Sequence, residues 1–167
     1  PVMAALKEYK IQPSNVLEVG CANGWRLDLL NEEYGCNVWG VDPGAAHPSY
    51  AVRLGTARDL TMLFDSNKFD LVIYGWCLYL CDPEDYFWIA GEGDDVLQNG
   101  GFLLVYDFTT VVPHKVPYKH KKGLYSYHYD FPKLWLGHPA YSLYARVEEG
   151  ETCVTILKKN TKKAFKK

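Results

Sequence analysis

The stretch Val16-Leu-Glu-Val-Gly-Cys-Ala-Asn-Gly-Trp25 decides how this chain is read. Four mostly apolar residues, Val16 to Val19, run into a turn bracketed by Gly20 and Gly24. A segment of helical periodicity follows. Leu27, Leu30 and Tyr34 share one side, Asp28, Glu32 and Glu33 lie largely off it, and Gly35 is placed to end it. Strand, tight turn and helix in that order open a doubly wound α/β fold, in which the first turn lies at the carboxyl edge of the sheet where nucleotide-like ligands bind. Glycine at 20 and 24 lets the backbone approach such a ligand.

Working outward, Asn37-Val-Trp-Gly-Val41 reads as a second strand with Asp42 at its end, 18 residues after Gly24. An acid at that place can accept hydrogen bonds from both hydroxyls of a ribose. The glycine spacing then separates the nucleotide-binding classes. Nicotinamide and flavin enzymes use G-x-G-x-x-G. Counted from Gly20, Ala22 and Trp25 stand in the second and third glycine places, and an indole fits poorly where helix must pack closely on strand. The spacing here is E-x-G-x-A-x-G, beginning at Glu18.

That pattern resembles the class I S-adenosylmethionine-dependent methyltransferases, whose first motif is an acid, one residue, then G-x-G-x-G. Glu18, Gly20 and Gly24 match it, and Ala22 replaces the middle glycine. Further matches come in order. Asp42 fits the ribose acid. Gly55-Thr-Ala-Arg-Asp-Leu60 fits the segment bordering adenine, with Thr56 where the family often has an acid. Phe69–Tyr74 fits the fourth strand, and Asn99–Asp107 the turn and fifth strand. The resemblance covers residues 14–108 well and the remainder in outline. It implies a doubly wound, Rossmann-like α/β fold with a seven-stranded, mostly parallel sheet ending in an antiparallel hairpin. It also implies S-adenosyl-L-methionine as cofactor. Glu18 would orient the glycine loop, with Gly20, Ala22 and Gly24 the backbone that approaches the cofactor. Asp42 would take the ribose, Pro43 would pack on adenine or ribose, and Thr56 and Ala57 would contact adenine. The Tyr74 carbonyl and the Trp76 ring would face the methionine end.

The reaction so implied is displacement at a sulfonium methyl, where holding nucleophile and methyl in line can supply roughly 7–11 kcal/mol. An alcohol or ammonium acceptor also needs a base. Candidates are Asp107, which ends the fifth strand on the ligand edge, and His114 and His128, with His120 behind them. No metal site is expected, since Asp107 alone does not make the carboxylate cluster of metal-dependent members. The Asn/Asp-Pro-Pro-aromatic motif of amino-methylating nucleic-acid enzymes is replaced by Tyr74-Gly-Trp-Cys77, which argues against that class.

Composition bounds the rest. At 167 residues one domain is expected over 1–167, with 109–140 a long substrate-side loop and 159–167 a basic tail. No apolar run is long enough for a membrane span, and no signal peptide is expected. The chain opens on Pro1 without a methionine, which leaves room for residues upstream. Five scattered cysteines without C-x-x-C read as reduced thiols in a cytoplasmic protein. The net charge of −2 is uneven: residues 1–110 hold 6 Lys/Arg against 16 Asp/Glu, and residues 111–167 hold 12 against 4. That basic end suits an anionic small-molecule substrate or partner. RNA stays open through the tyrosine-interleaved loop but is not favoured. A small molecule, or a glycan or lipid precursor, is the simpler acceptor. The rival readings are a non-catalytic, methyltransferase-like binding or scaffold subunit and a nicotinamide enzyme, against which the glycine spacing argues.

Of the remaining elements, Val2–Tyr9 reads as a short helix and Tyr50–Leu54 as a third strand, with a short turn or helix after Pro43-Gly44. Asp59–Phe64 suits a helical turn. A helix should start at Asp82-Pro83-Glu84 and reach Leu97, interrupted at Gly91 and Gly93. Asn99-Gly100-Gly101 should turn the chain. A short helix is expected over Pro132–Leu136, and Tyr141–Glu148 and Thr152–Lys158 alternate as a terminal hairpin.

Overall fold

The computed structural model describes residues 1–44 and 51–160. A seven-stranded sheet runs in the order β3-β2-β1-β4-β5-β9-β8. It comprises β1 (Asn15–Val19), β2 (Asn37–Asp42), β3 (Ala51–Leu54), β4 (Phe69–Gly75), β5 (Leu97–Phe108), β8 (Tyr141–Glu149) and β9 (Thr152–Lys159). The first five strands pair in parallel, and β9 runs antiparallel between β5 and β8. The chain order reverses between β1 and β4, which opens a crevice at the carboxyl ends of these strands.

Alternation along the strands sends side chains to two cores. From β1, Leu17 and Val19 enter one cluster and Val16 the other. Helices α1 (Val2–Glu8) and α2 (Trp25–Tyr34) cover the Val16 side through Leu6, Leu27 and Leu30. On the Leu17 side lie α3 (Leu60–Leu63), α4 (Tyr86–Val96) and α5 (Lys133–Leu136), bringing Leu60, Ile89 and Trp135. β4 is buried over nearly its whole length, as a central parallel strand must be.

Several expectations need correction. Asp82 caps only a 3₁₀ turn, Pro83–Asp85, by accepting from the Glu84 amide, and α4 proper starts at Tyr86. Gly91 and Gly93 do not interrupt α4. Gly93 sits where the Tyr74 ring crosses the helix, and a Cβ there would collide with the Tyr74 hydroxyl, whereas a Cβ at Gly91 meets open space. Opposite responses follow. Gly91→Ala should stabilise the fold by about 0.5–1 kcal/mol through helix propensity. Gly93→Ala should cost about 1–3 kcal/mol by overpacking in spite of that propensity. Denaturant unfolding of the two variants reads both signs.

Asn99-Gly100-Gly101 lies within β5 as an irregularity, since Phe69 pairs with Leu97 but Leu71 with Phe102. Residues 109–140 are not one open loop. They hold an antiparallel pair, β6 (His114–Pro117) and β7 (Tyr125–His128), besides α5. Lys159 belongs to no tail. It is 8% exposed at the end of β9, donates to the Asp94 and Leu97 carbonyls at 2.6 and 2.9 Å, and pairs with Asp94. The tail beyond residue 160 and the turn expected after Gly44 lie outside the described residues.

Candidate functional site

A cavity of about 800 Å³ lies at the carboxyl edge of the sheet, where β1, β2 and β4 end. The turn after β1 contributes Val19, Gly20 and Ala22, and the end of β2 contributes Val41, Asp42 and Pro43. Residues 55–59 close one side and the segment after β4, with Trp76, Cys77, Leu80 and Cys81, another.

The turn is held from below. Gly20 is in the left-handed region at φ 74°, and a Cβ on it would run into the Cys77 side chain, so strand β1 can approach the β4 loop this closely only with glycine. Its amide donates to the Val41 carbonyl at 2.7 Å. Ala22 is also left-handed, at φ 47°, a conformation costly for any residue with a Cβ. Asp42 offsets that cost. Its Oδ2 accepts from the Ala22 amide at 3.0 Å and its Oδ1 from the Gly44 amide at 2.9 Å. The acid at the end of β2 therefore pins the glycine turn while keeping further acceptor capacity toward the cavity.

On the adjoining wall, the Thr56 hydroxyl and amide each donate to Asp59 Oδ2 at 2.7 Å, which holds the Asp59 carboxyl below its usual range. The Arg58 guanidinium pairs with Asp85 at 3.0 Å and lies over the Trp88 ring, whose indole N–H returns a bond to the Arg58 carbonyl at 3.2 Å. This clasp joins the 55–59 segment to α4 across the cavity. Among the described residues, Asp42, Asp59, Asp82 and Asp85 line the cavity against one cation, Arg58, so it suits a ligand carrying positive charge.

A model of the methyltransferase domain family matches residues 2–131. The chain belongs to that family. It is thus a methyltransferase of the class that uses S-adenosylmethionine. No curated protein matches the chain. Among solved structures it is similar to the 1,6-didemethyltoxoflavin-N1-methyltransferase of Burkholderia thailandensis, which holds 1,6-didemethyltoxoflavin and S-adenosylhomocysteine. The TM-score is 0.75 at 18% identity, over 96% of this chain and 77% of that one. A protein from Pyrococcus horikoshii OT3 aligns with a TM-score of 0.74 at 19% identity, over 95% and 87% of the two chains. A SAM-dependent methyltransferase from Archaeoglobus fulgidus aligns with a TM-score of 0.68 at 16% identity, over 95% and 93%.

Of the residues singled out in the methyltransferase's sequence, Gly20, Ala22, Asp42, Pro43, Thr56, Ala57 and Trp76 line this cavity together, whereas Glu18, Gly24 and Tyr74 do not. Gly24 caps α2. Tyr74 is fully buried, with its hydroxyl on the Ile89 carbonyl at 3.4 Å. Glu18 lies beneath the turn, 2% exposed, in an ion pair with Arg26. Burial pushes its carboxyl up to about 7 against the pull of that guanidinium.

Asp107, His114 and His128 do not line this cavity, and neither does His120. Asp107 is 1% exposed. Its Oδ2 accepts from the Leu78 and Tyr79 amides at 3.0 and 3.3 Å, and its Oδ1 from the Phe108 amide at 2.8 Å. Burial pushes Asp107 up to about 7, and its geometry makes it the anchor of the loop after β4. The His128 ring stacks on Phe108 at 3.9 Å, the His114 ring lies 4.8 Å from that of His128, and Trp76 meets Phe108 edge-on at 4.9 Å. Sequence reasoning missed Asp59, Cys77, Asp85 and Trp88 among the lining residues. The Thr56-x-x-Asp59 spacing was a usable signal. The other three are brought in by tertiary packing and carry none.

Proposed function

We propose that the chain transfers the methyl of S-adenosylmethionine to a small organic acceptor in the cytoplasm. The observation that carries this reading is Asp42, which projects from the end of β2 into the cavity while its two oxygens brace the glycine turn. The residues present fit the cofactor. The cavity's excess of carboxylates suits a sulfonium and an ammonium, the Asp42 carboxylate suits two ribose hydroxyls, and the Trp76 ring suits a cationic sulfur. Pro43, Thr56 and Ala57 border the adenine end, and Gly20 and Ala22 the methionine end. Bound there, the cofactor supplies an electrophilic methyl on a good leaving group. The chain's part is to hold that methyl in line with the acceptor and to keep water from the site.

A small acceptor is supported by the bound didemethyltoxoflavin of the Burkholderia enzyme. The cytoplasm is supported by five free cysteines. We read residues 1–160 as one catalytic unit on the ground that both cores draw on strands of the same sheet. Calorimetric titration with S-adenosylmethionine and S-adenosylhomocysteine tests the reading. Micromolar affinity for both is the expected result. A folded protein that binds neither would overturn it.

A further inference from the structure

The chain leaves β4 through a strained residue. Trp76, the first after Gly75, stands at φ 61°, in the left-handed region that a bulky side chain avoids. Such strain persists only where the surroundings fix it, and it gathers at ligand sites. Here the backbone is fixed on both sides of the indole. The Trp76 amide donates to the Tyr106 carbonyl at 2.8 Å. The amides that follow turn to one carboxylate. Asp107 Oδ2 accepts from Leu78 and Tyr79 at 3.0 and 3.3 Å, and the Cys77 amide also favours its charged form. These amides open the 3₁₀ turn Leu78–Leu80, and the first N–H groups of a helical turn find no acceptor within it. Asp107 supplies one from the neighbouring strand. Without it buried amides would be left unpaired, so the turn would shift, and Trp76 with it.

The ring is held as closely as the backbone. Tyr79, Tyr106 and Phe108 meet the Trp76 indole edge-on, at 5.8, 5.1 and 4.9 Å between centroids. Trp76 lines the cavity of about 800 Å³ and none of these three does, so within this cluster the indole alone meets a ligand there. Tyr106, Asp107 and Phe108 are consecutive at the end of β5. One strand end therefore supplies the carbonyl, the carboxylate and two of the three rings that fix Trp76.

We propose that Asp107 is a positioning residue of the methyl-transfer site: through the Cys77–Tyr79 segment it holds the Trp76 ring against the sulfur end of the cofactor, and so makes the site respond to the charge on that sulfur. This rests on the methyl-transfer reading above. A sulfonium gains from an aromatic face what an uncharged thioether does not. S-adenosylmethionine and S-adenosylhomocysteine differ only in that methyl and its charge. The ratio of their affinities therefore reports where the ring stands, whereas a general loss of stability weakens both alike.

Calorimetry at pH 8, above the value of about 7 to which burial pushes the Asp107 carboxyl, measures both ligands on the parent, Asp107→Asn, Trp76→Leu and the double variant. Thermal unfolding is the control for folding. Trp76→Leu should lower the affinity for S-adenosylmethionine relative to S-adenosylhomocysteine by about two- to thirtyfold, the range of one cation–π contact. Asp107→Asn should lower the same ratio by a comparable factor. The double variant should lower it no further than Trp76→Leu alone, because the carboxylate acts through the ring. In the parent, hydrogen exchange at the Leu78 and Tyr79 amides should slow more with S-adenosylmethionine bound than with S-adenosylhomocysteine at equal saturation, a measurement that stands even where Asp107→Asn does not fold. A ratio unmoved by either single change, two effects that multiply in the double variant, or equal exchange with both ligands would overturn the proposal and leave the methyl-transfer reading in place. A folded parent that binds neither ligand overturns that reading, and the proposal with it.

Discussion

Replacing Asp42 with alanine is expected to weaken S-adenosylhomocysteine binding by about 100- to 1,000-fold. Two losses combine. Two ribose hydroxyls would lose a charged acceptor, at about 1.5–3 kcal/mol for each such bond, partly offset by water in a cavity that is open to solvent. The Ala22 and Gly44 amides would also lose their acceptor, and the left-handed Ala22 its brace. A comparison of variants separates the two. Ala22→Gly in the Asp42→Ala background removes the need for the brace, since glycine adopts that conformation freely. If the loss is mainly ribose contact, this second change should restore little affinity. Calorimetry on folded variants, with thermal unfolding as the control, reads the outcome. An Asp42→Ala protein that binds within threefold of the parent would remove Asp42 from the cofactor site.

Asp42 stands among the parts of the molecule that the sequence discloses. The strand, turn and helix around Gly20 and Gly24 depend on local patterns of apolar residues and glycines, and they are where the periodicity puts them. Asp42 followed from the position of a strand end, and Gly20, Pro43, Thr56 and Trp76 from order along the chain. The terminal hairpin was legible as two strand-forming runs either side of Gly150, but not as alternation: Cys153–Leu157 is buried without a break because β9 is covered on both faces, and of β8 only Tyr141 and Ala145 are buried. The β6–β7 pair was not. His114–Pro117 is exposed at every position, so no buried face impresses a period on it, and Pro117 argues against a strand. Its structure comes from pairing with Tyr125–His128 and from the stacking of His128 on Phe108. Gly93 misled for a related reason. Its effect on α4 is set by Tyr74 on a strand 19 residues away, not by the helix's own propensity. Asp107 has the right place on the edge for a base, yet three backbone amides that converge only in the folded chain turn it into an anchor.

Arg26 was invisible as well, and replacing it should have the largest effect on stability. Glu18 and Arg26 are both almost fully buried beneath the glycine turn, and Glu18 Oε2 has no hydrogen-bond partner among the described residues. Among the described residues only Arg26 offsets the cost of that buried charge, and it does so incompletely, since the Glu18 carboxyl rests at about 7 against an ordinary value of 4.5. Between those two values the folded state holds the proton more tightly than the unfolded chain, so stability falls as pH rises from about 4.5 to about 7 and then levels off. Arg26→Met keeps a long apolar stem and removes the charge. The folded carboxyl should then titrate still higher, and stability should go on falling above pH 7 by about 1.4 kcal/mol per unit. The variant is therefore expected to be destabilised by about 3–5 kcal/mol at pH 8–9 and by much less at pH 5, where Glu18 is largely protonated in the folded protein. Adding Glu18→Gln should recover most of the loss and flatten the pH dependence, because no uncompensated charge is left. Denaturant unfolding at pH 5, 6.5 and 8 measures all three proteins. A penalty for Arg26→Met that is the same at every pH would mean that the guanidinium acts by packing against Gly75 and not by neutralising Glu18.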